Sequence, residues 1–406
     1  MARKMKDSGI EWIGEIPTDF SLYKLKYLLS SPLCYGANES GTLYSDILPR
    51  YIRITDISPN GTLKNSGMLS LDESSAQNYM LHEGDILFAR SGATVGKSFI
   101  YHNYYGRAAY AGYLIKASFN RLVLPEFVYY YTCSSAYEIW KNSIFIQSTI
   151  QNIGADRYSN LPISVPNSID KQLRIVRYLN NFCSKFDAII YNLQTNIEDY
   201  KKLKQAVITQ AVTKGVRGER EMKDSGVAWI GEIPKEWSVA KAKYCVTITH
   251  GSDPKTEGSI PVYGSGAESF KTCGEYKEGP TVLIGRKGAT LHIPHYIEGK
   301  YWNVDTAFDV KAKNNFSLPY YYYLATSFDY KFYISQTTLP GMTQSNYYNM
   351  FLPFPTFPEQ EEIVAYLDTK CAEIDRLIAK KEQLVKELES YKKSLIYEVV
   401  TGKREV

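Results

Sequence analysis

Two stretches of this chain are nearly the same. Met5–Pro17 reads MKDSGIEWIGEIP and Met222–Pro234 reads MKDSGVAWIGEIP, differing only at Ile10/Val227 and Glu11/Ala228. Self-similarity of this kind means that one structural unit is used twice, and it sets the period into which every other element must fit. Length agrees, because 406 residues exceed one ordinary core and point to two or three domains. A protein of two similar halves suits a target of two similar halves.

The repeat extends past its opening motif. Each copy continues into a long aromatic, Gly-rich stretch with strand-like patches at Tyr51–Ile57, Asp85–Ala89, Thr281–Ile284 and Phe308–Lys311. Each then converges on a proline-marked exit, LPISVPNSIDKQLRIVRYL from Leu161 and LPFPTFPEQEEIVAYL from Leu352. Pro162, Pro166, Pro353, Pro355 and Pro358 cannot continue a central strand or sit inside a helix, so they fence off a boundary.

Beyond each exit the spacing predicts a long helix. Leu179, Phe182, Phe186, Ile189, Leu193, Asn196, Tyr200, Leu203 and Val207 alternate steps of three and four. In the second copy Leu367, Lys370, Ile374, Leu377, Lys381, Leu384, Leu388, Tyr391 and Leu395 do the same. This is a heptad seam. Each helix would run for about 40 residues, roughly 60 Å. Asn196, Lys370 and Lys381 are polar: they either set register or mark where the seam turns outward, and for the lysines the outward reading is preferred. One seam alone is unstable, so the two helices should pack on each other, antiparallel about a pseudo-twofold axis, with the chain termini close together and the globular parts at opposite ends of a rod. The expected fold is α+β: two globular α/β domains joined by two long antiparallel helices forming a coiled coil. The expected divisions are 1–166, 167–214, 215–357 and 358–406, the second and fourth being helical.

Composition narrows the function. No run of about 18 apolar residues is present, so no membrane span is predicted. MARKMKDSG lacks an apolar core and is not a secretory signal. Cys34, Cys133, Cys183, Cys245, Cys273 and Cys371 form no CxxC pair, which favours reduced thiols in a cytoplasmic protein. A net charge of +4 permits nucleic-acid binding without demanding it. The 35 tyrosines suit polar recognition surfaces, or they simply replace phenylalanine in an AT-rich coding sequence; both readings stay open.

Catalytic motifs fail on inspection. GATVGKS at Gly92–Ser98 has three residues where a phosphate-binding loop needs four. No GxGxxG or Asn-Pro-Pro-aromatic motif appears. His292 and His295 lack completing metal ligands. Glu275-Tyr-Lys277 lacks the upstream acid of a nuclease site. A binding protein without cofactor or metal is therefore expected.

Three polar loops recur in both copies. Arg90-Ser91-Gly92-Ala93-Thr94 matches Arg286-Lys287-Gly288-Ala289-Thr290, each after a short apolar strand. Gln147–Asn152 followed by Arg157 matches Gly341–Asn346. Tyr35-Gly-Ala-Asn38 matches His250-Gly-Ser-Asp-Pro-Lys255. Arg can read guanine, Asn and Gln can read adenine, and hydroxyls and backbone N–H groups suit phosphates. Ordinary turn chemistry would account for any single residue; recurrence favours function. The candidate DNA contacts are Asn38, Arg90, Ser91, Thr94, Gln151, Asn152 and Arg157 in the first copy. In the second they are Ser252, Lys255, Arg286, Lys287, Thr343, Gln344 and Asn346.

With its paired MKDSG-x-x-WIGEIP openings, Pro358-Glu359-Gln360 exit opposite Lys171-Gln172, two long helices and Val400–Lys403 ending, the chain resembles the DNA-specificity subunit of a type I restriction–modification system. The resemblance covers essentially the whole chain. Copy one departs from the pattern with NSIDKQ at its exit and VTKG at Val212–Gly215. It implies two target recognition domains, each reading half of a bipartite, asymmetric double-stranded DNA site, and a helical spacer that fixes their separation. It further implies docking of two methyltransferase subunits, restriction (translocase/nuclease) subunits in the full complex, and no catalysis in this chain. The competing classes are a coiled-coil scaffold with two protein-binding domains and an enzyme with an unrecognised site.

Overall fold

The computed structural model of the chain describes residues 3–58, 61–92, 94–146, 152–266, 268–330, 333 and 341–406. They form two compact units, one of Met1–Asn192 with Leu384–Val406 and the other of Leu193–Gln383.

Each unit holds one copy of the repeated motif as a small antiparallel hairpin, Met5–Asp7 with Glu15–Pro17 and Met222–Asp224 with Glu232–Pro234. The shared Asp-Ser-Gly explains the turn. Asp7 and Asp224 accept from the N–H groups of Gly9 and Gly226 at 3.0 and 2.9 Å, and Ser8 and Ser225 accept from Ile10 and Val227 at 3.2 Å in both. Short polar side chains that bond two residues onward stabilise such turns.

The two four-stranded sheets of each unit also correspond, one antiparallel and one mixed. In the first unit one sheet has the order Cys34–Tyr35, Leu114–Ala117, Ile86–Ala89, Ser98–Ile100. In the second the order is Val246–His250, Ala307–Ala312, Thr281–Gly285, His295–Ile297. The other sheet contains one parallel pair in each unit, Arg50–Ile52 with Ala108–Tyr110 and Ile260–Tyr263 with Lys300–Asn303. Pro162–Pro166 and Phe351–Phe354 each pair with a single strand, Phe20–Lys24 and Ser238–Lys241. Proline is tolerated there because a two-stranded ribbon leaves one edge unpaired.

The long helices are Ile169–Lys214 and Phe357–Val400. Pro358 occupies the first turn of the second, where a missing N–H costs nothing. Their packing is antiparallel. In the first unit Ile175, Val176 and Leu179 share a core with Leu395, Val399 and Val400. In the second, Tyr200 lies under Lys381 while Lys204 bonds Asp375, so one number rises as the other falls. The heptad reading is right at every second position and slips by one residue between them. Cys183, Ile190 and Ile197 are buried, whereas Ile189, Asn196 and Leu203 face water. Cys371, Ile378 and Val385 likewise turn inward instead of Lys370, Leu377 and Leu384. From a fixed anchor, steps of three-then-four and four-then-three both fit when apolar residues stand side by side, as at Ile189-Ile190. Lys370 does point outward, to Glu373 at 3.0 Å, but Lys381 stays on the seam over the Tyr200 ring at 5.6 Å.

A buried glutamine ties each helix to its sheet domain. Gln172 accepts from Leu124 N–H at 2.8 Å and donates to the carbonyls of Leu122 and Pro166, both at 3.0 Å. Gln360 accepts from Ser317 N–H at 2.7 Å and donates to Asn315 and Pro355 at 3.3 and 3.0 Å. Counted from these glutamines, Asp187 is equivalent to Asp375 and Lys392 to Lys204, and both pairs are ion pairs, at 2.5 and 2.6 Å. The same ion pair therefore stands at equivalent positions within each unit. The chain ends meet as expected: Arg3 donates to the Gly402 carbonyl at 3.0 Å, and the equivalent Arg220 donates to Lys214 at the end of the first helix, also at 3.0 Å.

Candidate nucleic-acid interface

The recurrent Arg loops leave the ends of two buried strands, Ile86–Ala89 and Thr281–Gly285. A buried tyrosine from a following short helix grips each exit. The Tyr158 hydroxyl donates to Ala89 O at 3.1 Å and the Tyr347 hydroxyl to Gly285 O at 2.7 Å. Burial raises the pKa of both phenols above the ordinary tyrosine value, so they stay protonated and donate.

The next residue is locked from two sides. Arg90 N–H donates to Tyr113 O at 3.0 Å and Arg90 O accepts from Ile153 N–H at 2.9 Å, with Ser91 bridged to Asn152. Arg286 N–H donates to Thr306 O at 2.8 Å and Arg286 O accepts from Met342 N–H at 2.9 Å, with Lys287 bridged to Gly341. The first and second recurrent loops therefore form one surface in each unit, through the same backbone bonds but with different side chains.

The third loop approaches through glycine. A β-carbon on Gly36 would stand 2.3 Å from Tyr110 O, and one on Gly251 would stand 2.1 Å from Val304 O. Both lie far inside van der Waals contact, so only glycine permits this crossing. In the first unit the crossing delivers Tyr35 to the Arg loop. Its hydroxyl accepts from Ala155 N–H at 3.0 Å and its ring carries the Arg90 guanidinium at 5.0 Å. Tyr35 opens the third recurrent loop, three residues before Asn38, but was not itself among the expected DNA contacts; its signal was an aromatic directly before the recurrent glycine.

The remaining candidates are placed as follows. Asn38 is exposed and lies over Gly112. Thr94 is half-buried in the turn before Lys97. The Asn152 Oδ1 is buried with no partner among the described residues, and Gln151 lies outside them. Arg157 is exposed on the short helix Ala155–Ser159. In the second unit the Ser252 backbone holds its loop, donating N–H to Asn303 O and accepting from the Trp302 indole N–H, and the N–H groups of Lys255 and Thr256 bond Glu275. Thr343 caps the helix Gln344–Asn349. Gln344 and Asn346 donate their amides to Ile248 O and Tyr333 O at 2.7 and 2.8 Å. Arg286 bonds Asp305, through its carbonyl at 3.1 Å and its carboxylate at 3.2 Å. Lys287 is exposed.

The decoys resolve physically. The GATVGKS motif leads from Thr94 into the strand Ser98–Ile100, antiparallel to Ile86–Ala89, and not into a helix that could hold a phosphate. Glu275 and Lys277 are bound up in loop and sheet contacts. His295 is half-buried, its pKa lowered by burial. No group of three metal-ligating side chains occurs among the described residues, and none of their helices is long and apolar enough to cross a membrane.

A family model for the type I restriction modification DNA specificity domain matches residues 44–199 and again 236–388. The chain belongs to this family. The two matches correspond to the two structural repeats, so this is a type I specificity subunit with a duplicated internal plan. Among curated relatives, the putative type I restriction enzyme MjaX specificity subunit of Methanocaldococcus jannaschii is 24% identical, with 96% of this chain and 95% of that protein covered. The type I restriction enzyme MjaVIII specificity subunit of the same organism is 26% identical over 172 residues, 42% of this chain, and the match spans only 37% of that protein. A solved chain from a structural study of type I R-M complex assembly and conformational transition superposes with a TM-score of 0.72 at 15% identity, covering 96% of this specificity subunit and 99% of that chain. At that identity the likeness establishes the fold.

Proposed function

We propose that this specificity subunit recognises a bipartite, asymmetric double-stranded DNA site, each unit reading one half through its Arg-loop surface. The observation that carries the reading is the shared clamp: the same backbone bonds join the Arg loop to the following polar segment in both units, while the side chains presented differ. A common frame with different side chains suits two half-sites of different sequence. Arg90, Ser91, Asn152 and Arg157 would act in one half, and Lys287 with the loops holding Ser252 and Lys255 in the other.

The functional division is 1–166 and 215–357 for recognition, with 167–214 and 358–406 as spacer. The spacer sets the separation of the half-sites and docks two methyltransferase subunits, and restriction subunits complete the assembly. The chain contributes no catalysis and no cofactor, and it acts in the cytoplasm. Co-expression with the methyltransferase of its locus, followed by footprinting and sequencing of methylated bases, tests the reading. Co-purification with protection of a split site is expected. Co-purification without any DNA protection would favour the protein scaffold instead.

A further inference from the structure

The two Arg loops share a backbone but not an electrostatic state. Arg286 has a carboxylate partner, Asp305, at 3.2 Å. Arg90 has no ion pair among the described residues, and its guanidinium lies over the Tyr35 ring instead. Both ends of that stack are anchored. The Arg90 backbone is held by Tyr113 and Ile153. Tyr35 is held by its strand pairing to Ile115 and by the Ala155 N–H on its hydroxyl. Tyr35 is 42% exposed and Arg90 is half-buried beside it, so the contact opens to solvent.

A guanidinium lying on an aromatic ring keeps its N–H edge free, and stacking limits the side-chain entropy lost when that edge is used. The paired N–H donors match the O6 and N7 acceptors of guanine in the major groove. Arg286 instead commits its Nη1 to the Asp305 carbonyl and carboxylate, which offsets its charge and narrows the fork of donors it can offer. We infer that Arg90, aimed by Tyr35, reads a guanine in the half-site bound by the first unit, and that Arg286 makes no equivalent base contact. This rests on the reading of the chain as a bipartite DNA reader.

The test is selection from randomised duplexes by the full chain in complex with its methyltransferase subunits, comparing wild type with R90A, R90K and R286A. R90A and R90K are expected to lose the preference for one guanine in one half-site by about tenfold to a hundredfold, the range for a bidentate pair. The other half-site should be unchanged. R90K preserves charge and bulk, so it carries the test if R90A does not assemble. Replacing that guanine by 7-deazaguanine should weaken the wild-type complex and leave R90A indifferent. A uniform loss across all sequences with a shallower salt dependence would identify a phosphate contact and overturn the inference. Unchanged selection by R90A and R90K would also overturn it, as would loss of a guanine preference in R286A. Wild type selecting no split site would overturn the underlying reading as well, which separates the two failures.

Discussion

The Tyr158 hydroxyl donates to the carbonyl oxygen of Ala89 at 3.1 Å, one residue before Arg90. Tyr347 does the same for Gly285, one residue before Arg286. The buried phenols thus hold the base of each recognition loop. Removing one hydroxyl by Tyr158→Phe or Tyr347→Phe should cost about 1 kcal/mol in urea denaturation. The two losses should add, because the residues lie in different units and share no partner. A strongly non-additive double mutant would show that the loops are coupled.

Gln172 and Gln360 should be the least replaceable polar residues of the interior. Each satisfies one backbone N–H and two carbonyls. Leucine fits the volume but leaves these groups without partners, at about 1–3 kcal/mol for a buried polar group. Gln172→Leu or Gln360→Leu should therefore lower the denaturation midpoint far more than Lys370→Leu on the outer helix face. Comparable midpoints would contradict this.

The reciprocal ion pairs Asp187–Lys392 and Asp375–Lys204 are partly exposed, with the aspartates 52% and 55% open to water. Each should contribute no more than about 1 kcal/mol, less at high salt. Asp187→Lys should place two cations together and destabilise, and adding Lys392→Asp should restore stability. A double-mutant cycle repeated at low and high salt measures the coupling.

Glu275 has its pKa lowered to about 2, first by the Thr256 hydroxyl and further by the Lys255 and Thr256 N–H groups, against an opposing desolvation effect. A depressed acid stabilises above its unfolded pKa of about 4.3 and loses that contribution as pH falls through the folded value. Amide exchange at Lys255 and Thr256, corrected for intrinsic rate, should therefore accelerate between about pH 4.3 and 2. Glu275→Gln should flatten that dependence.

Inserting four residues after Asn192, about one helical turn, should change the preferred spacing of the half-sites and neither half-site sequence. Site selection with the inserted variant in complex checks this. Altered half-site sequences with unchanged spacing would refute the spacer role of the helix.

Much of this was legible in the sequence. A near-verbatim repeat, two proline exits and two heptad runs are local patterns, and local patterns survive translation into structure. They determined the duplication, the α+β plan, the two long helices and the recurrent loops. The buried glutamines were visible as part of an exit motif, although their bonds were not.

Tertiary structure decided what depends on neighbours distant in sequence. The seam faces Ile190 and Ile197 rather than Ile189 and Asn196, because packing against the second helix selects one of two spacings that fit the heptad equally well. The tyrosines divide in the same way: Tyr158 and Tyr347 are buried donors to backbone, while Tyr35 is an exposed platform. Arg90 and Arg286 look alike in their motifs, yet one lies over a ring and the other on a carboxylate. That two arginine loops exist is already written in their matching motifs. Which arginine lies on a ring and which on a carboxylate was set only when folding brought Tyr35 to one loop and Asp305 to the other, since a charge takes its state from what is near it in space.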